Sequence, residues 1–277
     1  MAAARAIPAG QEPVIPASAV ERLRWGLSDT LVIAKRSLLR VPRQPELLLG
    51  FTIQPVMFVL LFRYVFGGAI ATPGVSYVNF LLPGILVQSI AFGSTVTGVA
   101  IVEDLQKGLT DRFRSLPMAR SAVLAGRTVA DILTNWFQLV VMVAIGYVVG
   151  FRFSTGVGDV IAGLALVTLV GFAFSWLSAV IAMSVKTVEA AQQASFTWLF
   201  PLTFVSSAFV PPATMPEPLK TFATDINPFT YWVDALRHLF IGTPVDNQVW
   251  IGLIWVVAIL VVFAPLAVWR YRRVSTR

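Results

Sequence analysis

The residue types that commonly do chemistry are sparse in this sequence and stand in no pattern typical of catalysis. The chain has no cysteine and one histidine, His238, so it offers neither a thiolate zinc site nor a cluster of imidazole ligands. Asp234 lies four residues before His238 and can simply pair with it. Its lysines, at positions 35, 107, 186 and 220, lie outside any Gly-x-x-x-x-Gly-Lys-Ser/Thr pattern, the Walker A loop that binds nucleotide phosphates. We therefore predict that the chain is not an enzyme and binds no metal or cofactor itself.

Amide side chains are the polar groups that lie deepest within apolar stretches. These residues are Gln54, Gln88, Asn135 and Gln138. Such amides usually hydrogen-bond neighbouring membrane helices, and they can also line a path for a polar ligand. The same stretches hold no paired carboxylates of the kind that a proton relay uses. A helix-contact role and a path-lining role both stay open.

The composition indicates which elements must position these residues. Of the 277 residues, 57% are hydrophobic and 13% are charged, and the mean hydropathy is +0.77. A soluble domain carries about a quarter charged residues. The sequence therefore predicts an all-α integral membrane protein, with a net charge of +7 that topology must explain.

Six apolar segments approach the roughly 20 residues that a helix needs to cross the hydrocarbon core. These spans are about Leu47–Phe66, Val78–Val102, Ile132–Phe151, Val160–Val185, Ala194–Val210 and Val249–Trp269. We place them in one permease domain, residues 43–277. The fifth span is short and contains Pro201.

Lysine and arginine residues set the predicted orientation. With both termini in the cytoplasm, 17 of the 21 basic residues lie inside, and the outer segments hold only Arg63, Arg152, Lys220 and Arg237. We therefore predict a multi-pass protein of the plasma membrane with cytoplasmic termini. This split explains the positive charge, so nucleic-acid binding is not needed to account for it.

The region before the first span divides into a disordered cytoplasmic tail, residues 1–17, and an amphipathic interfacial helix, residues 18–42. Ser18 and Glu21 fit a capping box, and Pro42 ends the helix. One helical stripe is apolar and comprises Leu23, Leu27, Leu31, Ala34, Leu38 and Val41. Such a helix lies along the inner membrane surface, as an anchor or as a contact for a cytoplasmic partner.

The inner segment Glu103–Pro117 is charged and has an apolar helical face. It is either a solvated connector or a rod that transmits motion from a soluble partner. The short polar loop Lys186–Gln193 could contact the same partner.

The outer segment Pro211–Gln248 is predicted to contain two short re-entrant helices, near Pro218–Thr224 and Pro228–Phe240. Their apolar face would dip into the outer leaflet, and it comprises Phe229, Trp232, Val233, Leu236, Leu239 and Phe240. Irregular backbone at membrane depth persists only against protein or water. The segment is therefore a plain cap or the lining of an exit path.

Two motifs and the six-span layout resemble the permease subunits of ABC type-2 exporters, in the daunorubicin-resistance (DrrB-like) branch. The first motif is Glu103-Asp-Leu followed by Gly-Leu-Thr-Asp-Arg-Phe-Arg-Ser-Leu-Pro-Met. The second is Asn227-Pro-Phe-Thr-Tyr, followed by Arg237, before the last span. Together with the layout they cover nearly the whole chain after Arg40.

The resemblance implies a half-transporter that pairs with a second permease copy or paralogue and rests on a separate ATPase, which binds ATP and Mg. It assigns coupling to the ATPase to Glu103, Asp104, Gly108, Asp111, Arg112 and Arg114, with Lys35, Arg36 and Arg40 from the amphipathic helix. It also implies an outer lid that includes Asn227, Pro228, Tyr231 and Arg237.

The leading hypothesis is therefore export of an amphipathic drug or lipid-like substrate by a chain in contact with membrane lipid. The spans carry few charges, whereas a strongly charged substrate would need a more polar lining. An ion-coupled secondary transporter is a second class, although no internal repeat or ionisable midplane residue favours it. A membrane scaffold without transport is a third class, which a neighbouring ATPase gene would argue against.

Overall fold

The computed structural model describes residues 45–70, 72, 74–106, 120–244 and 247–274, and all regular structure in these ranges is helical. The helices are α1 (Pro45–Leu61), α2 (Tyr77–Gly93), α3 (Thr95–Gln106), α4 (Arg120–Val149), α5 (Val157–Ala182), α6 (Val188–Phe204), α7 (Glu217–Thr221), α8 (Pro228–Ile241) and α9 (Gln248–Val274). Single π-helical turns follow α1 and α7, at Phe62–Phe66 and Phe222–Ile226. The predicted tail and interfacial helix, with Lys35, Arg36 and Arg40, lie outside these ranges.

Four described stretches are long and apolar enough to cross a membrane. They are Tyr77–Asp104, Ile132–Val149, Val157–Ala182 and Gln248–Tyr271, and Ile53–Phe66 is a shorter apolar helix. These stretches confirm an all-helical, membrane-type architecture, while the count of six spans stays a prediction.

The predicted fifth span differs from the helix that forms there. The sequence predicts a span over residues 194–210, but α6 runs from Val188 to Phe204, because the Thr187 hydroxyl caps its start by accepting a 3.1 Å bond from the Ala190 amide. The prediction of a loop over Lys186–Gln193 is therefore wrong from Val188 onward.

Burial differs sharply between the apolar helices. In the most apolar window of Tyr77–Asp104, 72% of residues are buried, whereas in Gln248–Tyr271 only 17% are. The helices α2 and α5 form the centre of the core, and α9 lies at the periphery with Ile254 and Val261 about two-thirds exposed. An apolar surface this exposed is suited to lipid.

The longest apolar stretch is interrupted once, at Ser94 between α2 and α3. The Ser94 hydroxyl bonds the carbonyl oxygens of Ile90 (2.8 Å) and, across to α5, Gly171 (3.0 Å). One turn later, a Cβ on Gly98 would lie 2.8 Å from the Ser178 carbonyl oxygen. The α2–α3 rod therefore packs against α5 at backbone distance, as small residues allow between membrane helices.

Candidate functional site

An irregular segment, Val205–Pro211, follows α6 and is buried. Ser206, Ser207, Ala208 and Phe209 are each at most 2% exposed. Because buried backbone amides and carbonyls must be hydrogen-bonded, this segment depends on partners from other elements. Those partners come from α2 and α8.

Asn227 connects the end of α6 to the start of α8. Its side-chain nitrogen donates to the carbonyl oxygens of Leu202 (2.7 Å) and Val205 (2.6 Å). Its side-chain oxygen caps α8 by accepting from the Phe229 amide at 3.0 Å. Carbonyl groups in the last turn of a helix lack intrahelical donors, so this one amide satisfies both ends of the junction.

Arg237 on α8 is the buried cation of this region, with only 4% of its surface exposed. Its guanidinium donates to the carbonyl oxygens of Phe80 (2.9 Å) and Ser207 (2.5 Å) and to the Asp234 carboxylate (2.8 Å). It also lies 3.5 Å from the centroid of the Phe80 ring. Burial lowers the pKa of Arg237 to about 10, against the opposing effect of the Asp234 charge, so the side chain stays charged at neutral pH.

Ser207 receives two further contacts from α8. Its hydroxyl donates to Asp234 at 2.8 Å, and its amide donates to the Thr230 hydroxyl at 3.2 Å. From the other side, a Cβ on Gly84 of α2 would lie 2.4 Å from the Ala208 carbonyl oxygen. The segment is therefore enclosed between α2 and α8. We call Val205–Pro211 together with α8 the outer plug, after the side of the membrane that the sequence predicts for them.

The amide side chains singled out in the sequence gather around one small cavity between α1, α2 and α4. The polar side chains lining it are Gln54, Gln88, Ser89 and Gln138, and the aromatic ones are Phe58 and Phe92. Asn135 lies beside it, because a Cβ on the lining residue Gly93 would be 2.9 Å from the Asn135 side-chain oxygen. The structure thus brings together all four predicted amides.

A chain of phenylalanine rings leads from this cavity toward the outer plug. Successive centroids lie 4.7–6.3 Å apart, which is the range of favourable aromatic pairs. We call this set the aromatic row, and it comprises Phe58, Phe62, Phe92, Phe196, Phe200, Phe204 and Phe209. Phe200 and Phe204 are each 39% exposed, so the row faces outward along α6.

At the opposite end of the molecule, α3 contacts the turn that precedes α6. The side-chain nitrogen of Gln106 donates to the Lys186 carbonyl oxygen at 3.0 Å, and Val102 packs with Ala182 and Ala191. Glu103 and Asp104 lie on this last stretch of α3 and are partly buried. The C-terminal end of α3, which the sequence predicts to be cytoplasmic, therefore contacts the start of α6.

Sequence comparison decides what kind of protein carries these features. The profile of the ABC-2 type transporter family matches residues 28–241, from before α1 to the end of α8. The chain belongs to the ABC-2 type transporter family. It is thus a membrane permease of the ABC transporter class, as its two motifs predicted.

Relatives of this ABC-2 permease include drug-resistance proteins. It is 34% identical over 246 residues to the daunorubicin resistance ABC transporter permease protein DrrB1 of Streptomyces coeruleorubidus. The aligned region covers 89% of this chain and 87% of that protein. It is 26% identical over 255 residues to the probable doxorubicin resistance ABC transporter permease protein DrrC of Mycobacterium tuberculosis, with 91% of each chain covered. The putative transport permease ycf38 of Cyanophora paradoxa is 24% identical over 218 residues, 77% of this chain and 74% of that protein.

In this ABC-2 permease, the apolar face of α8 does not meet lipid, and that prediction was wrong. Five residues of the predicted face are fully buried, and the sixth, Leu239, is half-buried against the same core; the five are Phe229, Trp232, Val233, Leu236 and Phe240. They pack into the core that α2, α5 and α9 share. The sequence periodicity identified the apolar stripe of α8. It could not tell whether protein or lipid covers that stripe, because either can bury apolar side chains.

Two further expectations for α8 can be compared with its contacts. The predicted Asp234–His238 pair is wrong, because Asp234 binds Arg237 and His238 Nδ1 lies 2.8 Å from the Thr243 carbonyl oxygen. Tyr231 donates its hydroxyl to the Asp225 carbonyl at 3.2 Å. Pro228 occupies the first turn of α8. The lid role of Asn227, Pro228, Tyr231 and Arg237 stays a prediction.

The coupling candidates fall into two groups. Glu103 and Asp104 lie at the C-terminal end of α3, next to the contact between Gln106 and Lys186. The remaining loop candidates, Gly108, Asp111, Arg112 and Arg114, fall outside the described residues. Within the ranges that the structure describes, no three His, Asp or Glu side chains gather as metal ligands would.

Several contributors to the outer plug were missed from sequence. Ser207, Thr230 and Phe80 carry no local pattern, since their partners are at least 23 residues away along the chain. Asp234 did carry one: it stands three residues before Arg237, a spacing at which opposite charges meet on a helix.

Proposed function

We propose that this chain is the permease subunit of an ATP-driven exporter that moves an amphipathic drug or lipid-like molecule out across the plasma membrane. A separate nucleotide-binding subunit supplies ATP hydrolysis with its bound Mg. The observation that carries the proposal is the 34% identity, over nearly the whole chain, to a daunorubicin resistance permease. In the proposed topology six helices cross the membrane and both termini are cytoplasmic.

The coupling step is assigned to the inner segment that begins at Glu103 and Asp104 and continues through Gly108, Asp111, Arg112 and Arg114. Support comes from the inner end of α3, where Gln106 bonds the Lys186 carbonyl oxygen. A displacement of this segment would reach the start of α6 directly. Lys35, Arg36 and Arg40 are proposed to extend the same contact surface.

The amphipathic character of the substrate is supported by the aromatic row. Its rings offer flat apolar surface, and Phe200 and Phe204 are accessible from outside the chain. Charged side chains are rare in the apolar helices: α2 contains none, and α5 contains only Asp159. A planar molecule with a modest polar part fits this surface better than a multiply charged one.

A second permease subunit, a copy or a paralogue, is proposed to complete the path. The exposed side of α1 gives it a surface, since Met57 is 56% exposed and Tyr64 and Val65, in the π turn, are at least 65% exposed. The outer plug is proposed to close this path as a lid. Asn227, Pro228, Tyr231 and Arg237 belong to that lid.

The test is co-reconstitution with the partner ATPase, which is first sought among the genes that neighbour this one. Inverted membrane vesicles that contain both subunits should accumulate daunorubicin when ATP is added, and vesicles with the permease alone should not. Glu103→Lys and Arg112→Glu should abolish co-purification of the ATPase. The matched control is Glu217→Lys, because Glu217 is exposed near the predicted outer surface and should not affect assembly.

Each alternative class gives a different result in this assay. Accumulation that follows a proton or sodium gradient without ATP would identify a secondary transporter. Subunit assembly with neither transport nor stimulated ATP hydrolysis would identify a scaffold. Either result would refute the proposed function.

A further inference from the structure

We propose that the cavity between α1, α2 and α4 binds one neutral hydrogen-bonding group, a hydroxyl or a carbonyl oxygen, of an amphipathic molecule. The apolar body of that molecule would rest against the aromatic row. The inference deepens the proposed function by naming a contact for the substrate. This inference rests on the proposed function only because that function guides the choice of a drug as the probe.

The first observation is an unsatisfied amide that lines the cavity. Gln88 is 7% exposed and Asn135, beside it, is 8% exposed. Within residues 45–274 as far as they are described, neither side chain forms a hydrogen bond to another residue. These amides border the cavity with hydrogen-bonding capacity that no described residue uses, so a ligand hydroxyl or carbonyl can bond them there.

The second observation concerns charge. Among the described residues that line the cavity, every polar side chain is an amide or a hydroxyl, and none is ionisable. An amide both donates and accepts hydrogen bonds, so it suits a hydroxyl or a carbonyl. A charged group would lose its hydration here without gaining a counter-ion. The site therefore selects a neutral group.

The third observation is size. The volume open to the centre of a water-sized molecule is about 20 Å³, and a single water needs roughly 10–15 Å³ on this measure. One hydroxyl or carbonyl fits, but a drug-sized ring system does not. The remainder of the ligand must stay outside, beside Phe58 and Phe92, which belong both to the cavity wall and to the aromatic row.

The position of the cavity suits a ligand that arrives through the membrane. Gln88 lies roughly 16 Å along the helix axis from Tyr77 and roughly 24 Å from Asp104, which is well within the hydrocarbon region. Gln54 on α1 is exposed, and its neighbours Ile53 and Met57 are 55% and 56% exposed. On α1, the lining residue Gln54 is thus flanked along the helix by exposed apolar side chains.

Gly93 supplies a variant that reduces the cavity without replacing any of its polar side chains. A Cβ there would lie 2.9 Å from the Asn135 oxygen and 3.2 Å from the Gln138 oxygen. Gly93→Ala therefore displaces these amides and takes up part of the space that a ligand hydroxyl would use.

The experiment measures binding to the purified full-length permease in phosphatidylcholine nanodiscs, without the ATPase. One arm titrates daunorubicin by its fluorescence, and the other measures retention of diolein, a neutral lipid with a hydroxyl and ester carbonyls, by native mass spectrometry. The variants are Gln88→Leu and Gly93→Ala. Gln192→Leu is the matched control, since Gln192 is exposed near the start of α6 and far along the chain from the cavity.

Gln88→Leu should weaken daunorubicin binding about three- to tenfold, the equivalent of one hydrogen bond. It should leave the melting temperature unchanged or higher, because it removes an unsatisfied buried group. Gly93→Ala should also weaken binding, and Gln192→Leu should not. The same pattern seen with diolein alone would identify a lipid as the source of the hydroxyl.

Two results would overturn the proposal. If both cavity variants bind daunorubicin and diolein as the unmodified chain does, the cavity holds only water. If Gln88→Leu lowers the melting temperature, Gln88 is a structural partner for a neighbouring helix. Failure of ATP-driven transport in the co-reconstituted system would refute the proposed function but would leave this binding result unaffected.

Discussion

At the scale of single residues, the outer plug depends on two side chains that each satisfy several backbone groups. Arg237 binds carbonyl oxygens from α2 and from the irregular segment, and Asn227 binds the end of α6 and caps α8. Both are nearly inaccessible to solvent. Their contribution is geometric as well as electrostatic, because one planar group must reach several acceptors at once.

Replacing Arg237 by methionine should lower the stability of the permease by about 2–4 kcal/mol, because Asp234 and two or more carbonyl groups lose their donor. Arg237→Lys should recover only part of the loss, since an ammonium group cannot reproduce the planar fork. Thermal unfolding in detergent micelles would measure both. Arg152→Met is the control, because Arg152 is exposed, and stability of Arg237→Lys equal to the unmodified chain would contradict the argument.

Asn227→Asp separates the two tasks of this side chain. The carboxylate keeps the acceptor that caps α8 but loses both donations to α6 and faces the Leu202 and Val205 carbonyls with a negative charge. We expect a loss of about 2–3 kcal/mol. Asn227→Ser, which retains a cap and one donor, should lose less. Equal melting temperatures for the two variants would show that only the cap matters.

At the scale of helices, packing at backbone distance determines which glycines are required. Gly84 on α2 faces the Ala208 backbone, whereas a Cβ on Gly158, near the start of α5, would meet no atom within 4 Å. Both lie in helices, where alanine is intrinsically favoured over glycine by up to about 1 kcal/mol. Helix propensity therefore favours alanine at both positions, whereas packing opposes alanine at Gly84 and permits it at Gly158.

Gly84→Ala should destabilise the protein by about 1–3 kcal/mol, because backbone atoms of the irregular segment must move. Gly158→Ala should leave stability unchanged or raise it slightly. Unfolding midpoints of the two variants, measured side by side, test the contrast. A Gly84→Ala protein as stable as the unmodified chain would mean that the outer plug is not packed against α2.

The helices themselves were largely predictable from the sequence, but their contacts were not. Hydropathy located the apolar parts of α2, α4, α5 and α9 but not the first turns of α4, which begins at Arg120, and prolines with the apolar stripe located α7 and α8. The side of α8 that is buried could not be read, because the same stripe fits a leaflet or a core. Gln88 and Asn135 were identified as buried amides, whereas their gathering around one cavity depends on how α2 and α4 pack.

At the scale of the whole molecule, the distribution of basic residues predicts which ends are cytoplasmic. The chain has no cysteine, so single cysteines report accessibility without background. Glu189 and Glu217 make a matched pair, since both are exposed glutamates in the first turn of a helix. The topology predicts opposite sides of the membrane for them.

In intact cells, a membrane-impermeant maleimide should label Glu217→Cys and should leave Glu189→Cys unlabelled until the membrane is permeabilised. Retained export activity of both variants would show that the labelled molecules are folded. If only Glu189→Cys is labelled in intact cells, the predicted orientation is the wrong way round. If both variants are labelled in intact cells, no membrane span separates the two positions.

The close packing of the α2–α3 rod against α5 has a mechanical consequence. Ser94 bonds Gly171, and Gly98 meets Ser178, so close contacts at the break and one turn into α3 hold the rod against α5. Densely packed protein has low compressibility and transmits strain. A force applied near Gln106 would therefore move α3 and α5 together rather than deform the contact between them.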